Sequence, residues 1–260
     1  MNLLLLSGMP RSGSTYIQKF LATNNSVHNF QRTCPIPNYI SFLKKAFEPG
    51  LDSVATTIEQ TQIEFETFVK GGIDANCVSD KLNLFKSREF ITHTNLLQRL
   101  YPNSKNIYIV RNLKDIVMSV YYSVHKYDYK DGYDNLSKSQ KINFILENSF
   151  ISGSLKRIEH DIGMIEDYKN NFYVLKYENF CSDVEKELEK ISNFLNIENQ
   201  FNLENINLDN KHIDTNYLHT VSHTLKNKQI EYKTYKGNFE DDVEKFLRQN
   251  FKNYYDYFSY

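Results

Sequence analysis

Tryptophan is absent from this chain of 260 residues, and cysteine occurs three times. Cys34, Cys77 and Cys181 are odd in number and far apart. That excludes a disulfide framework and a C-x-x-C metal site, and it points to a reducing cytoplasm. Net charge is also lacking: 31 Lys and Arg stand against 32 Asp and Glu, a balance of -1. Without an excess of either sign, no field draws the chain to nucleic acid or to an anionic membrane. Long apolar runs are missing. The first stops after four leucines, has no basic stretch before it, and does not read as a signal peptide. No segment approaches the roughly 18 apolar residues that span a bilayer. Neither an internal repeat nor a long low-complexity tract is present. The length suits one α/β domain over 1–260 with a sizeable core. Tyrosine and phenylalanine are plentiful, at 19 and 18, a bias that genome composition accounts for without invoking an activity.

The stretch from Leu3 to Leu21 carries the strongest signal. Leu3 to Leu6 read as a strand buried on both faces. Gly8 to Thr15 is a tight loop of small residues, and Tyr16, Ile17, Phe20 and Leu21 recur at helical spacing. Strand, small-residue loop and helix make an anion site. Gly8 and Gly13 let backbone approach a ligand, and the first helical turn offers unpartnered N–H groups. Ser12, Ser14 and Thr15 add hydroxyls, and Arg11 adds a fixed positive charge. The loop is in register with the Walker A pattern at Gly8, Gly13 and Thr15, but Ser14 stands where the lysine belongs. Without that charge the loop suits a phosphate-like group other than the tail of ATP or GTP.

Further along, strands are expected at Val27–Phe30, Asn76–Lys81, Asn106–Val110 and Phe172–Tyr177. Helices are expected over 38–70 in two pieces ended by Gly71-Gly72, and over 87–100, 116–122, 140–168, 182–195 and 239–250. The alternation of strand and helix predicts a mostly parallel sheet with helices on both faces. Ligands in such a sheet lie beyond the carboxyl ends of the strands, which directs attention to Gln31, Arg32, Thr33, Asp80, Lys81 and Arg111. Arg111 ends its strand, and Ser119 is read as facing outward early in the next helix. An ion pair of Arg111 with Asp115 is the simpler reading, and a second anion pocket is the functional one. Tyr127–Ser139 reads as a mobile loop or lid, and Ser182 with Glu185 as a capping box. Phe239, Val243, Phe246 and Leu247 are expected to pack the last helix on the sheet. The tyrosine-rich tail, Tyr254–Tyr260, is read as packing.

Three of these segments together resemble the nucleotide-dependent sulfotransferases. Met9–Thr15 is similar to their loop for the 5′-phosphosulfate of PAPS (3′-phosphoadenosine 5′-phosphosulfate). Ile109–Ser119 is similar to their 3′-phosphate motif, with Arg and Ser eight residues apart. Val174–Phe180 is similar to a later strand whose tyrosine contacts adenine. The resemblance implies a P-loop NTPase-like sulfotransferase fold and PAPS as sulfuryl donor. Its acceptor would be a hydroxyl or amine of a small molecule or glycan, and no metal is required. It assigns Pro10, Arg11, Ser12, Gly13, Ser14 and Thr15 to the 5′ end, Arg111 and Ser119 to the 3′-phosphate, and Tyr177 to the base. By the same resemblance Lys81, with Arg11 and Asp80, serves the transfer itself. Sulfuryl transfer, like phosphoryl transfer, puts negative charge on a bridging oxygen that cations and helix N–H groups stabilise.

No general base carries over: Asn83 stands where cytosolic members have histidine, and Phe30–Thr33 holds no carboxylate. Asp80 is the nearest candidate, then His28 or a residue of the 38–70 helices. His219 and His223 could share a helical face, and Lys226 or Lys228 could join Arg111. The rival readings are a P-loop kinase or nucleotidase, and a nucleotide-binding module without catalysis.

Overall fold

Four consecutive leucines form the centre of the molecule. The computed structural model describes residues 1–47, 58–122, 133–202, 206, 232 and 234–260. Asn2–Gly8 is strand β1, and Leu3 to Leu6 are all buried within it. Alternation along a strand sends Leu3 and Leu5 to one face and Leu4 and Leu6 to the other. The two pairs accordingly join different apolar clusters. Each buried leucine contributes roughly 2 kcal/mol, so the run ties helices on both faces to one strand.

There follow α1 (Ser14–Leu21), β2 (Val27–Thr33), α2 (Ile36–Ala46), α3 (Ile58–Asp74), β3 (Leu82–Lys86), α4 (Thr94–Leu100), β4 (Lys105–Val110) and α5 (Leu113–Tyr121). The second half contains α6 (Lys138–Asn148), α7 (Ser152–Leu155), α8 (Ile158–Asp167), β5 (Phe172–Lys176), α9 (Tyr177–Ser182), α10 (Val184–Leu195), α11 (Asn238–Asn250) and α12 (Lys252–Tyr257). The five strands run in the order β2-β3-β1-β4-β5, and every pairing is parallel. Leu4, Leu6, Leu84, Ile107 and Ile109 face α1, α9 and α10. Leu3, Leu5 and Phe85 face α2, α3 and α4. The expected α/β class, a parallel sheet with helices on both faces, is what the chain adopts.

Several expectations need correction. Asn76–Lys81 is not a strand; β3 begins at Leu82. The Asn83 side chain accepts from Val78 N at 2.8 Å and donates to the carbonyls of Val78 and Lys81 at 3.0 Å each. That clamp folds the preceding residues into a turn. Gly71 and Gly72 do not end α3, which continues to Asp74. Ile73 is buried in the core there, and Asp74 accepts from Tyr101 at 2.8 Å. Such contacts outweigh the roughly 1 kcal/mol each glycine costs a helix. The segment 87–100 divides into a 3-10 turn, Phe90–His93, and α4. Ser182 is no N-cap: its hydroxyl donates to Asn179 O, whereas Asp183 caps α10 by accepting from Lys186 N. Val243 and Leu247 of α11 are buried as expected, but Phe246 is exposed. The break at Glu48-Pro49-Gly50, part of the expected lid (127–132), and His219, His223, Lys226 and Lys228 lie outside the described residues. The remainder of the lid segment holds a 3-10 turn, Tyr133–Asn135, and the Ser137–Gln140 capping box that opens α6.

Candidate active site

The strand order reverses at β1. The chain builds β2 and β3 on one side of it, then crosses to β4 and β5 on the other. Loops that leave the carboxyl ends of β1 and β4 border the crevice that such a reversal opens.

The loop after β1 is shaped by three residues with positive φ: Gly8 at 142°, Arg11 at 67° and Gly13 at 90°. Gly8 has no room for a side chain, because a Cβ there would lie 2.4 Å from Ile109 O. A Cβ on Gly13 would lie 2.1 Å from the Tyr177 ring. The ring therefore covers the loop where α1 begins. Arg11 is a non-glycine residue in the left-handed region, a conformation that costs of order 1 kcal/mol and recurs at ligand sites. The first turn of α1 holds no acidic residue and no side-chain cap. Tyr16 N and Ile17 N donate to Gly13 O at 2.9 and 3.2 Å, which leaves the N–H groups of Ser14 and Thr15 at the helix start for the loop. Ser12 Oγ is fully buried without a hydrogen-bond partner, and so is Ser7 Oγ. An orphaned buried hydroxyl beside free helix N–H groups is what an oxyanion would satisfy.

The loop after β4 meets this one directly. Arg111, buried, donates through one terminal guanidinium nitrogen to Arg11 O at 3.0 Å. Arg11 Nε in turn donates to Ser119 Oγ at 3.0 Å. The Arg111 guanidinium lies 5.0 Å from the centre of the Tyr177 ring and 5.7 Å from that of Tyr232, within cation–π range. Asn112 caps α5 by accepting from Lys114 N, and its own N–H donates to Glu178 at 2.9 Å. Ser119 is the seventh residue of α5 and is buried, rather than outward and early as expected. One turn of helix aims it inward at the Arg11 side chain. Asp115 accepts from the hydroxyls of Tyr232 and Thr234 and from Tyr235 N. It thereby fastens the late segment beside Arg111.

Lys86, the last residue of β3, is a site residue that the sequence pattern does not single out. It is buried, and its Nζ donates to Thr15 Oγ1 at 3.0 Å. A cation thus reaches the loop from a neighbouring strand, although Ser14 replaces the Walker lysine. Burial, reinforced by Lys19, brings the Lys86 ammonium down to about 8. Among the described residues neither Arg11 nor Lys86 has a carboxylate within ion-pair distance. The signal for it is the short run Leu82 to Phe85, continuously buried from Asn83 on, which puts Lys86 at the strand's carboxyl end. Asp80 and Lys81 sit at the amino end, across the sheet from the loop. Lys81 Nζ donates there to Asn25 O, and Asp80 is exposed. His28 pairs with Asn83 in the same half of the sheet. These three are not gathered with Arg11, Arg111 and Lys86.

The sequence profile of the sulfotransferase domain matches residues 2–260. This chain belongs to the sulfotransferase domain family. Its reaction is sulfuryl transfer from PAPS, the donor consumed as a substrate. No curated protein sequence matches this sulfotransferase significantly. Among solved structures, the sulfotransferase domain of the Synechococcus PCC 7002 olefin synthase superposes with a TM-score of 0.52 at 17% identity, covering 95% of this chain and 94% of that one. The mouse sulfotransferase SULT7A1 complexed with PAP gives 0.50 at 14% identity, covering 98% and 83%. At these identities the likeness concerns the fold. Among the described residues of this sulfotransferase, no helix is long and apolar enough to cross a membrane.

Proposed function

We propose that this sulfotransferase, acting as one domain, holds PAPS across the junction of its two loops and passes the sulfuryl group to a small-molecule hydroxyl. The 5′ end lies against Pro10 to Thr15, and the 3′-phosphate against Arg111 and Ser119. The observation that carries this reading is the contact between the two motifs: Arg111 on Arg11 O, and Arg11 Nε on Ser119 Oγ. Two anion sites this close suit one molecule that bears both anions.

Lys86 takes the role first expected of Lys81. Its Nζ, already on Thr15, is the cation positioned for the oxygen on which charge grows as the donor's sulfur–oxygen bond breaks. Arg11 and the N–H groups of α1 share that task. Tyr177 and Tyr232 flank Arg111 with aromatic faces suited to an adenine ring. Tyr177 also covers Gly13 at the start of α1. Three cysteines, odd in number and far apart in the chain, support a reducing compartment such as the cytoplasm.

Titration calorimetry with adenosine 3′,5′-bisphosphate (PAP) tests the donor site. We expect one-site binding that Arg111→Ala weakens strongly and Lys86→Met weakens less. Absence of binding to folded protein would overturn the reading. ATP with magnesium in place of PAP separates it from a kinase, and transfer of labelled sulfate from PAPS separates it from an inactive module.

A further inference from the structure

Glu178 stands in the first turn of α9, directly after Tyr177. A carboxylate at a helix start is favourable by itself. This one, however, is bonded to three other segments of the chain. Its Oε1 accepts from Asn112 N at 2.9 Å and from the Tyr232 hydroxyl at 3.3 Å. Its Oε2 accepts from the Tyr260 hydroxyl at 2.7 Å. The three donors lie 66, 54 and 82 residues away in the chain, and all are neutral.

Asn112 joins Arg111 to α5 and caps that helix from an extended backbone, with φ of -49° and ψ of 124°. Its N–H belongs to no helix or strand ladder and needs an acceptor of its own. Tyr254 already holds the N–H and carbonyl of Arg111. The Glu178 bond therefore fixes the next peptide, and the backbone that carries the guanidinium is held from both sides. A neutral acceptor would satisfy the Asn112 amide, but a carboxylate makes the stronger, charge-assisted bond. A carboxylate beside an anion site also repels the anion. Its presence here points to a task in which rigidity outweighs that repulsion.

Resting on the donor reading above, we propose that Glu178 is the positioning residue of the 3′-phosphate subsite: it fixes the Asn112 amide so that the Arg111 guanidinium is set before the donor arrives. Holding a binding group in its bound geometry beforehand removes part of the ordering entropy that association otherwise costs. Glu178 itself is given no donor atom to touch. None of its three bonds goes to the loop from Pro10 to Thr15, so the hold on the 5′ end does not depend on it. Tyr232 also donates to Asp115, so the aromatic wall beside Arg111 stays anchored without Glu178. Its effect is confined to ligands that carry a 3′-phosphate.

The test uses the full chain and two ligands, PAP and adenosine 5′-monophosphate (AMP), which lacks the 3′-phosphate. Calorimetry is run on the wild type, Glu178→Ala, Glu178→Gln and Tyr260→Phe, with the exposed Glu185→Ala as control. Hydrogen exchange of the segment 110–117 is followed without ligand. We expect Glu178→Ala to raise the dissociation constant of PAP about tenfold or more and that of AMP less than about twofold. Glu178→Gln keeps an acceptor for Asn112 and drops the charge, so PAP affinity should stay within about threefold of wild type. Tyr260→Phe frees Oε2 alone and should weaken PAP less than Glu178→Ala does, again without weakening AMP. Exchange at 110–117 should quicken in Glu178→Ala and not in Glu178→Gln or Glu185→Ala. Equal losses for PAP and AMP would make Glu178 general structural support and overturn the proposal. Tighter PAP binding by Glu178→Ala would overturn it too, since repulsion would then be its whole effect. If Glu178→Ala does not fold, Tyr260→Phe decides: equal effects on the two ligands overturn the proposal, and a loss for PAP alone supports it. Failure of PAP to bind the wild type, with exchange still quickened in Glu178→Ala, would remove the donor reading and keep Glu178 as the holder of the Arg111 backbone. Unchanged exchange would overturn that role whatever PAP does.

Discussion

Arg11 Nε donates to Ser119 Oγ at 3.0 Å across 108 residues of sequence. The side chain that opens the first anion loop therefore rests on a hydroxyl of the second motif. Arg111 closes the circuit by donating to the Arg11 carbonyl. The two sites form one hydrogen-bonded unit, and an anion that reaches either one competes with a contact made by the other.

That arrangement ranks two substitutions. Arg111→Ala removes a buried guanidinium and is expected to weaken PAP binding by about 3 kcal/mol, on the order of 100-fold. Ser119→Ala removes one neutral hydroxyl but also releases Arg11, so its cost should stay near 1 kcal/mol. Calorimetry at one fixed salt concentration measures both. Equal losses would mean that the Arg11–Ser119 contact does not compete with the donor.

Lys86 predicts a pH dependence. Its pKa falls from 10.5 to about 8, chiefly through burial. A bound anion favours the charged form, so donor binding takes up a proton near pH 8 and weakens as pH rises past it. Lys86→Met should flatten that dependence and lower turnover more than PAP affinity. Lys81→Ala, at the opposite end of β3, should change neither. The stability sign is fixed too. The unfolded lysine keeps its proton up to about 10.5, so the burial penalty is present below pH 8 and is relieved between about 8 and 10.5. Thermal melts should therefore show Lys86→Met stabilised at about pH 7 and the gain shrinking toward pH 10.

Gly13→Ala is expected to be severe for two separable reasons. The φ of 90° is unfavourable for alanine, and the new Cβ would meet the Tyr177 ring at 2.1 Å. We expect a loss of more than about 1 kcal/mol of stability and of PAP binding altogether. Adding Tyr177→Ala relieves the clash but not the dihedral. Melting temperature should recover in part and PAP binding should not.

Tyr254 holds the backbone of Arg111 from below. Its hydroxyl donates to Arg111 O at 2.8 Å and accepts from Arg111 N at 3.3 Å, fully buried. Tyr254→Phe leaves those backbone groups unsatisfied and should cost about 1–3 kcal/mol of stability. PAP affinity should fall with it, because the arginine loses its support. Tyr257→Phe, at a partly exposed position of the same helix, serves as the control and should leave both unchanged.

Much of this site is written in local chemistry. The loop from Gly8 to Thr15 needs its glycines, hydroxyls and helix start wherever it is placed, and the alternation of strand and helix leaves few alternatives to a parallel sheet. Lys86 is hidden in the sequence because the local pattern places the strand at Asn76–Lys81, directly before β3. Asn83 decides that boundary through bonds to residues on its own N-terminal side, which propensity cannot register. Local preference would end α3 at its glycines, but the contacts of Ile73 and Asp74 carry it onward.

The sequence alone determined the anion loop, the central strand, the second motif with its arginine and serine, and the class of donor they resemble. Those depend on neighbours within a few residues, where backbone freedom and side-chain type act directly. Only the tertiary structure decided that Lys86 rather than Lys81 reaches the loop, that Arg11 and Ser119 touch, and that Glu178 bonds the Asn112 amide. Each of these is a distance between segments far apart in the chain, set by sheet register and helix packing, and no local pattern encodes it.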